Sequence, residues 1–263
     1  MDKSGATASY PSLADRVTFV SGGASGIGAS LVEHFAAQGA RVAFCDIDRA
    51  AGEALAGRLA GYRHRPQFCV CDVRDIPAYR ACLAGVEDAL GAIRVLVNNA
   101  GNDARHALRE LTPESWDECL ALNLRHHVFA IQQVAPGMAA AGGGSIINLG
   151  SVSWMRGRPN LVGYTASKAA ISGISRTLAR ELGEAGIRVN ALVPGAIATE
   201  RQSALRQTPE EERRFIELQC LKFRLEPAHV ARVAVFLASE ESGGITGQDI
   251  IVDAGLAQVA VAG

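Results

Sequence analysis

Seven short, β-rich apolar runs punctuate the chain: RVTFV (16–20), RVAFC (41–45), QFCVC (67–71), IRVLV (93–97), SIINL (145–149), IRVNALV (187–193) and DIIV (249–252). Between them lie longer segments with apolar residues at helical spacing, such as IGASLVEHFAAQ (27–38) and VARVAVFLAS (230–239). The pattern is a repeated βαβ unit. The runs lack an inside/outside alternation, which calls for strands covered on both faces, that is, a parallel sheet with helices on each side. Right-handed crossovers then predict an α/β fold, a Rossmann-type doubly wound parallel sheet of about seven strands. At 263 residues and 48% hydrophobic content the chain can bury one large core. The expected organisation is a tail over 1–11 and a single domain over 12–263, with residues of about 196–225 covering the substrate. In such folds ligands sit beyond the carboxyl ends of the strands, so chemistry is sought just after each run.

Charge and composition narrow the partners. A formal net charge of -1 gives no basic footprint for nucleic acid or an anionic membrane, and a small molecule fits better. The first ten residues, MDKSGATASY, contain no apolar core of signal-peptide length, and no run approaches a membrane span, so a cytoplasmic protein is expected. Six cysteines (Cys45, Cys69, Cys71, Cys82, Cys119 and Cys220) are scattered among apolar positions and are expected to be reduced core or surface residues. Cys69 and Cys71 point to one face of a strand with no His or second Cys pair evident nearby. His126 and His127, adjacent on a predicted helix, are expected to diverge. No metal site is expected.

After the first strand comes SGGASGIG (Ser21 to Gly28), running straight into a helical pattern. Gly22, Gly26 and Gly28 let backbone amides approach a pyrophosphate, and the helix N-terminus favours its negative charge. Asp46 ends the second strand, where a carboxylate accepts hydrogen bonds from ribose hydroxyls and repels a 2'-phosphate, favouring NAD over NADP. Arg49 is the basic residue close enough to argue for the phosphate. Asp72 ends the third strand, with an adenine amino group as its partner or, alternatively, a capping role before Ile76.

Tyr164 and Lys168 lie four apart in GYTASKAAISGISRTLARELG and so share one helix face. A tyrosine with a pKa of about 10 is a poor base at neutral pH, and a neighbouring ammonium favours its phenolate. Ser151, just beyond the fifth strand, is placed to hydrogen-bond the same substrate oxygen. Together the three describe proton transfer from an alcohol.

At this point the sequence resembles the short-chain dehydrogenase/reductase family in its compact single-domain form, over residues 12 to 256. The resemblance rests on SGGASGIG, Asp46, CDV (71–73), NNAG (98–101), Asn123, Ser151, YTASK (164–168), RVNALVPG (188–195) with Thr199, and ITGQDIIVDAG. It implies a tetrad in which Asn123 holds a water in a proton relay, Ser151 orients the substrate oxygen, and Tyr164 is the base or acid. Lys168 lowers the tyrosine pKa and binds the nicotinamide ribose. It also implies cofactor contacts from Ser21, Ser25, Ile27, Ile47 and Val73, from Asn99, Ala100 and Gly101, and from Pro194, Gly195, Ile197 and Thr199. Ser21 stands where the family usually has Thr, with the hydroxyl kept.

The substrate must be sought in the variable parts. NDARH (102–106), WMRGRPN (154–160) and TERQSALRQ (199–207) are rich in polar groups, as a sugar pocket would be, since each desolvated hydroxyl needs a partner. Solvent-facing loops share that composition. Within the family, NNAGNDARH, NLRHHVF, GSVSW, the TERQ after PG, and QCLK (219–222) resemble bacterial NAD(P)-dependent aldose 1-dehydrogenases acting on D-xylose, L-arabinose or D-galactose. This resemblance implies oxidation of an anomeric hydroxyl to a lactone by a tetramer or dimer. Candidate substrate ligands are Asn102, Asp103, His106, Ser153, Trp154, Asn160 and Gln202. The alternatives are a 3-oxoacyl or polyol dehydrogenase of the same fold, and a non-catalytic dinucleotide-binding sensor.

Overall fold

The computed structural model describes residues 8–200 and 208–258. Seven strands form one all-parallel sheet in the order β3-β2-β1-β4-β5-β6-β7. The strands are β1 (Val17–Ser21), β2 (Arg41–Asp46), β3 (Gln67–Val70), β4 (Val95–Asn98), β5 (Gly144–Leu149), β6 (Ile187–Pro194) and β7 (Asp249–Val252). Chain order reverses direction across the sheet between β1 and β4, which opens a crevice at their carboxyl ends.

The helices divide between the two faces. On one face α1 (Gly26–Ala37) packs beside α8 (Pro227–Ala238), burying Leu31, Val32, Phe35, Val230, Ala234 and Leu237 against Val20, Phe44 and Val97. On the other, α3 (Ile76–Leu90) and α5 (His126–Ala140) bury Tyr79, Leu83, Ala130, Ile131 and Val134 against Phe19, Ala43 and Leu96. Phe19 and Val20 are consecutive yet belong to opposite cores, which explains why the run carries no alternation: both faces of β1 are dry. α2 (Arg49–Arg58) follows β2, α4 (Pro113–Leu120) precedes α5, α6 (Val162–Leu182) follows β5, and α7 (Pro209–Glu217) follows β6. No helix among the described residues is long and apolar enough to cross a membrane.

The run at 93–97 enters the sheet two residues late, at Val95. Ile93 is buried in the turn before it, so its apolar character reports core rather than strand. The cysteines are free core and surface residues, as expected, with a clustering the sequence did not show, and the expected divergence of the adjacent histidines is corrected. Cys45 and Cys69 are register partners on β2 and β3, Cys71 follows on the same face, and Cys82 of α3 packs onto them, so four thiols from three separate segments meet. All six cysteines are free, and hydrogen bonding with the Cys71 and Cys82 thiols, together with burial, pushes the Cys45 thiol up. His126 and His127 do not diverge: both are buried, with ring centroids 4.4 Å apart. His126 Nε2 meets the Ala100 carbonyl at 3.1 Å and His127 Nδ1 meets Asn148 Oδ1 at 3.3 Å, so each ring serves the carboxyl edge of the sheet. No cluster able to hold a metal exists among the described residues.

Candidate active site

Beyond the carboxyl ends of the strands lies a cleft of about 620 Å³, in the size range of small-molecule sites. Its floor at the switch point is the turn from β1 into α1. Gly22 has a left-handed φ of 64°, and a Cβ there would sit 2.8 Å from Ala100 Cα, so the turn and the NNAG loop can close up only around a glycine. Ser21 is buried behind that turn, off the cleft wall, and its Oγ accepts hydrogen bonds from the Asn99 and Ala100 amides at 3.0 and 3.1 Å. Asn99 in turn donates to the Ser21 and Gly22 carbonyls. Ser25, Gly26, Ile27 and Gly28 line the cleft where the α1 amides begin. That glycine-built, amide-lined cradle at a helix N-terminus fits a pyrophosphate.

Next along the cleft stands Asp46 with Ile47. One Asp46 oxygen accepts from the Ala24 amide at 3.0 Å and the other from the Asp48 amide at 3.2 Å, so the side chain is held in place as an acceptor. Ile47 is 68% exposed, an apolar surface that an adenine ring would cover. Asp72 and Val73 form the opposite wall. Asp72 does not cap α3; Asp75 does, accepting from Ala78 N at 3.0 Å. Arg74 grips the Asp72 carboxylate and holds it below the usual carboxylate range. Arg49 turns to Glu53 and lines a separate groove, away from Asp46.

The other half of the cleft holds Ser151, Tyr164 and Lys168. Tyr164 and Lys168 project from one face of α6, with the Lys168 ammonium 5.7 Å from the tyrosine ring centroid. Lys168 is buried, and its Nζ donates to the Leu149 carbonyl at 2.7 Å, which ties α6 to the end of β5. Burial lowers its pKa to about 8, since desolvation disfavours the ammonium. Ser151 Oγ donates to Ser153 Oγ at 2.9 Å and accepts from the Ser153 amide at 3.1 Å, so the two serines form one hydroxyl pair on the wall. Asn123 lies in a π-helical step, Ala121–Arg125, that joins α4 to α5. It is fully buried behind the cleft. Its Oδ1 accepts from the Asn102 amide at 2.9 Å and its Nδ2 donates to the Cys119 carbonyl at 3.0 Å. A Cβ on Gly101 would stand 2.7 Å from that Oδ1, so the glycine makes room for Asn123. Gly101, Pro194, Gly195, Ile197 and Thr199 complete the wall.

Of the residues expected to meet substrate, Asn102, Asp103 and Ser153 line the cleft, whereas His106, Trp154 and Asn160 do not. Asn160 is exposed with a left-handed φ of 59°, and its carbonyl accepts from the His106 amide at 2.9 Å, so these two residues close a loop against each other. The Trp154 indole N–H is buried without a partner among the described residues. Gln202 lies outside the described residues. In their place the structure brings Arg156, Arg158, Glu200, Phe215 and Leu256 to the wall. The available signal for the two arginines was RGR, a charged pair around a glycine within the polar variable segment WMRGRPN (154–160).

Comparison with known proteins matches this geometry. Residues 22–257 match the family adh_short_C2, described as "Enoyl-(Acyl carrier protein) reductase". The chain is 46% identical to the D-xylose 1-dehydrogenase of Caulobacter vibrioides (strain NA1000 / CB15N) over 249 residues, covering 95% of this chain and 98% of that protein. It is also 46% identical to a "Probable galactose dehydrogenase" of Rhizobium meliloti (strain 1021) over 248 residues, covering 94% and 97%. Among solved structures, a blue fluorescent protein from a metagenomic library in complex with NADPH superposes with a TM-score of 0.87 at 34% identity, covering 93% of this chain and 99% of that one. A sheet wound this way, with its cleft at the switch point and near-complete sequence coverage by such relatives, leaves one assignment: the chain belongs to the short-chain dehydrogenase/reductase family of NAD(P)-binding oxidoreductases.

Proposed function

We propose that the protein is an NAD-dependent aldose 1-dehydrogenase that oxidises the anomeric hydroxyl of a cyclic pentose or hexose to its lactone. The observation that carries the reading is the 46% identity, over nearly the whole chain, to two relatives that both bear sugar dehydrogenase names. The polar substrate end, with Asn102, Asp103 and the Ser151–Ser153 hydroxyl pair, is in keeping with it.

The dinucleotide would lie along the cradle from Ser25 to Gly28, with Asp46 accepting from the adenosine ribose, Ile47 and Val73 flanking the adenine, and Asn99 to Gly101 against the second ribose. It supplies the hydride acceptor. A fixed carboxylate at Asp46, with Arg49 turned away to Glu53, favours NAD over NADP. In this reading Ser151 donates to the substrate oxygen, Tyr164 takes the hydroxyl proton, and Lys168 favours the phenolate and holds ribose. Asn123 is a positioning residue, bonded to the Asn102 amide, that keeps the loop bearing Asn102 and Asp103 in place. Loss of hydride from an anomeric carbon produces an ester carbonyl, which favours the oxidative direction. The reading also includes a cytoplasmic homo-oligomer, with apolar Leu221, Phe223 and Ile251 exposed beside β7.

The test is incubation with NAD and a panel of aldopentoses, aldohexoses, polyols and 3-hydroxyacyl thioesters, following reduced nicotinamide. Turnover of aldoses above polyols and thioesters is expected. Silence with every aldose removes the reading.

A further inference from the structure

The cleft carries more positive charge at its substrate end than a neutral sugar requires. After β5 the chain bends across the mouth of the site, with the Arg156 amide donating to the Val152 carbonyl at 3.1 Å, Gly157 left-handed at φ 57°, and the Arg158 amide donating to the Ser153 carbonyl at 3.4 Å. That bend delivers Arg156 and Arg158 to the cleft wall beside Tyr164 and Ser153. Arg158 is half-buried, its guanidinium carbon 5.6 Å from the Phe215 ring centroid. Arg105, Arg156, Asp103 and Tyr164 all lie within its electrostatic reach, and burial together with the two other guanidiniums depresses its pKa. None of these three arginines forms an ion pair with a described residue. With Lys168 the region gathers four cations, against Asp103 and Glu200 as carboxylates.

Crowded like charges, one of them desolvated, cost stability unless a counter-charge joins them. A neutral sugar is a poor answer, because its hydroxyls need donors and acceptors alike while a guanidinium only donates. A planar anion meets the guanidinium fork with two parallel charge-assisted hydrogen bonds. Resting on the aldose reading above, we infer that the enzyme also takes aldoses bearing an anion remote from the anomeric carbon, with Arg158 as the principal anchor and Arg156 its support. For a hexuronate in its ring form, the anomeric C–H would leave as hydride to NAD and the hydroxyl proton would pass to Tyr164. The anomeric carbon becomes the lactone carbonyl, the remote carboxylate is unchanged, and NADH and one proton are the other products.

The experiment compares kcat/KM with NAD for D-galacturonate and D-glucuronate, for the 6-phosphates of the corresponding hexoses, and for D-galactose, D-glucose and D-xylose. At least one anionic sugar should exceed the neutral hexose of the same configuration by about tenfold, and whether uronate or phosphate leads identifies the anion. Arg158→Gln should lower that charged-to-neutral ratio by about tenfold, with Arg158→Lys recovering part of it, because charge returns without the fork. Two readouts do not depend on these variants: calorimetric binding of the anionic sugar to the NADH complex, and a rise with ionic strength in KM for the anionic sugar that the neutral sugar does not share. Neutral aldoses oxidised faster than every anionic one, with no salt-dependent difference, would overturn the inference and leave the aldose reading standing. No turnover of any aldose, charged or neutral, would overturn both.

Discussion

A phenol with an ordinary pKa is nearly useless as a base at neutral pH, so Tyr164 depends on what surrounds it. In the proposed reaction it is the group that moves the substrate proton, and Lys168, anchored to the Leu149 carbonyl, is the charge that makes this possible. Tyr164→Phe should therefore lower kcat by about a thousandfold while the NAD dissociation constant, measured by fluorescence titration, stays near the parent value. Activity within tenfold of the parent would contradict the assignment. At the other end, Asp46 is an acceptor locked by two backbone amides. Asp46→Asn removes the charge that repels a 2'-phosphate and should raise the ratio of NADP to NAD kcat/KM by about tenfold or more. Asn102→Ala and Asp103→Ala should raise the sugar KM far more than the NAD KM, and equal effects on both would place these side chains outside the sugar's contacts. Residues of this kind were the most legible: Tyr164, Lys168 and Asp46 sit at positions where spacing alone fixes the face of a helix or the end of a strand. Arg156 and Arg158 were not, because they ride an irregular bend whose direction depends on Gly157 and on bonds back to Val152 and Ser153.

At the scale of elements, α5 shows what periodicity does not tell. Its first turn buries His126 and His127 beneath β4 and β5, where His127 meets Asn148, itself bonded to Asn98 and to Ser175 of α6. Burial lowers the His126 pKa to about 3, and that of His127 well below the ordinary range. Both rings are neutral in the folded protein, with Lys168 also opposing their protonation. Below the unfolded-state pKa of about 6.5 the unfolded chain binds protons that the folded chain refuses. Stability is thus fully present above about pH 6.5 and should fall as pH drops toward 3, by about 1.4 kcal/mol per pH unit for each histidine. Denaturant midpoints between pH 7 and 4 measure this, and His127→Asn should flatten the slope. The β1–α1 turn makes the complementary point. Gly22→Ala forces a left-handed φ onto a Cβ that would press on Ala100, and should cost about 1–3 kcal/mol together with weaker NAD binding, seen in thermal unfolding and titration.

For the whole molecule, one parallel sheet with both faces covered places every cleft-lining segment at one edge, although those segments span residues 22 to 256 of the chain. The sequence by itself determined the strands, their parallel arrangement and the carboxyl-end location of the cleft. Those properties follow from local composition and from the requirement that an apolar run be buried on both sides. It also marked Gly22, Asp46, Ser151, Tyr164 and Lys168, because strand ends and helix faces are set within a few residues. Only the tertiary structure decided which loops reach the cleft and which turn away. His106 and Asn160 close on each other outside it while Arg156 and Arg158 enter. It also decided that four scattered thiols share a face and that adjacent histidines pack ring against ring at a tilt. Such outcomes depend on crossovers that join segments tens of residues apart and on bends held by single backbone hydrogen bonds, neither of which leaves a period in the sequence.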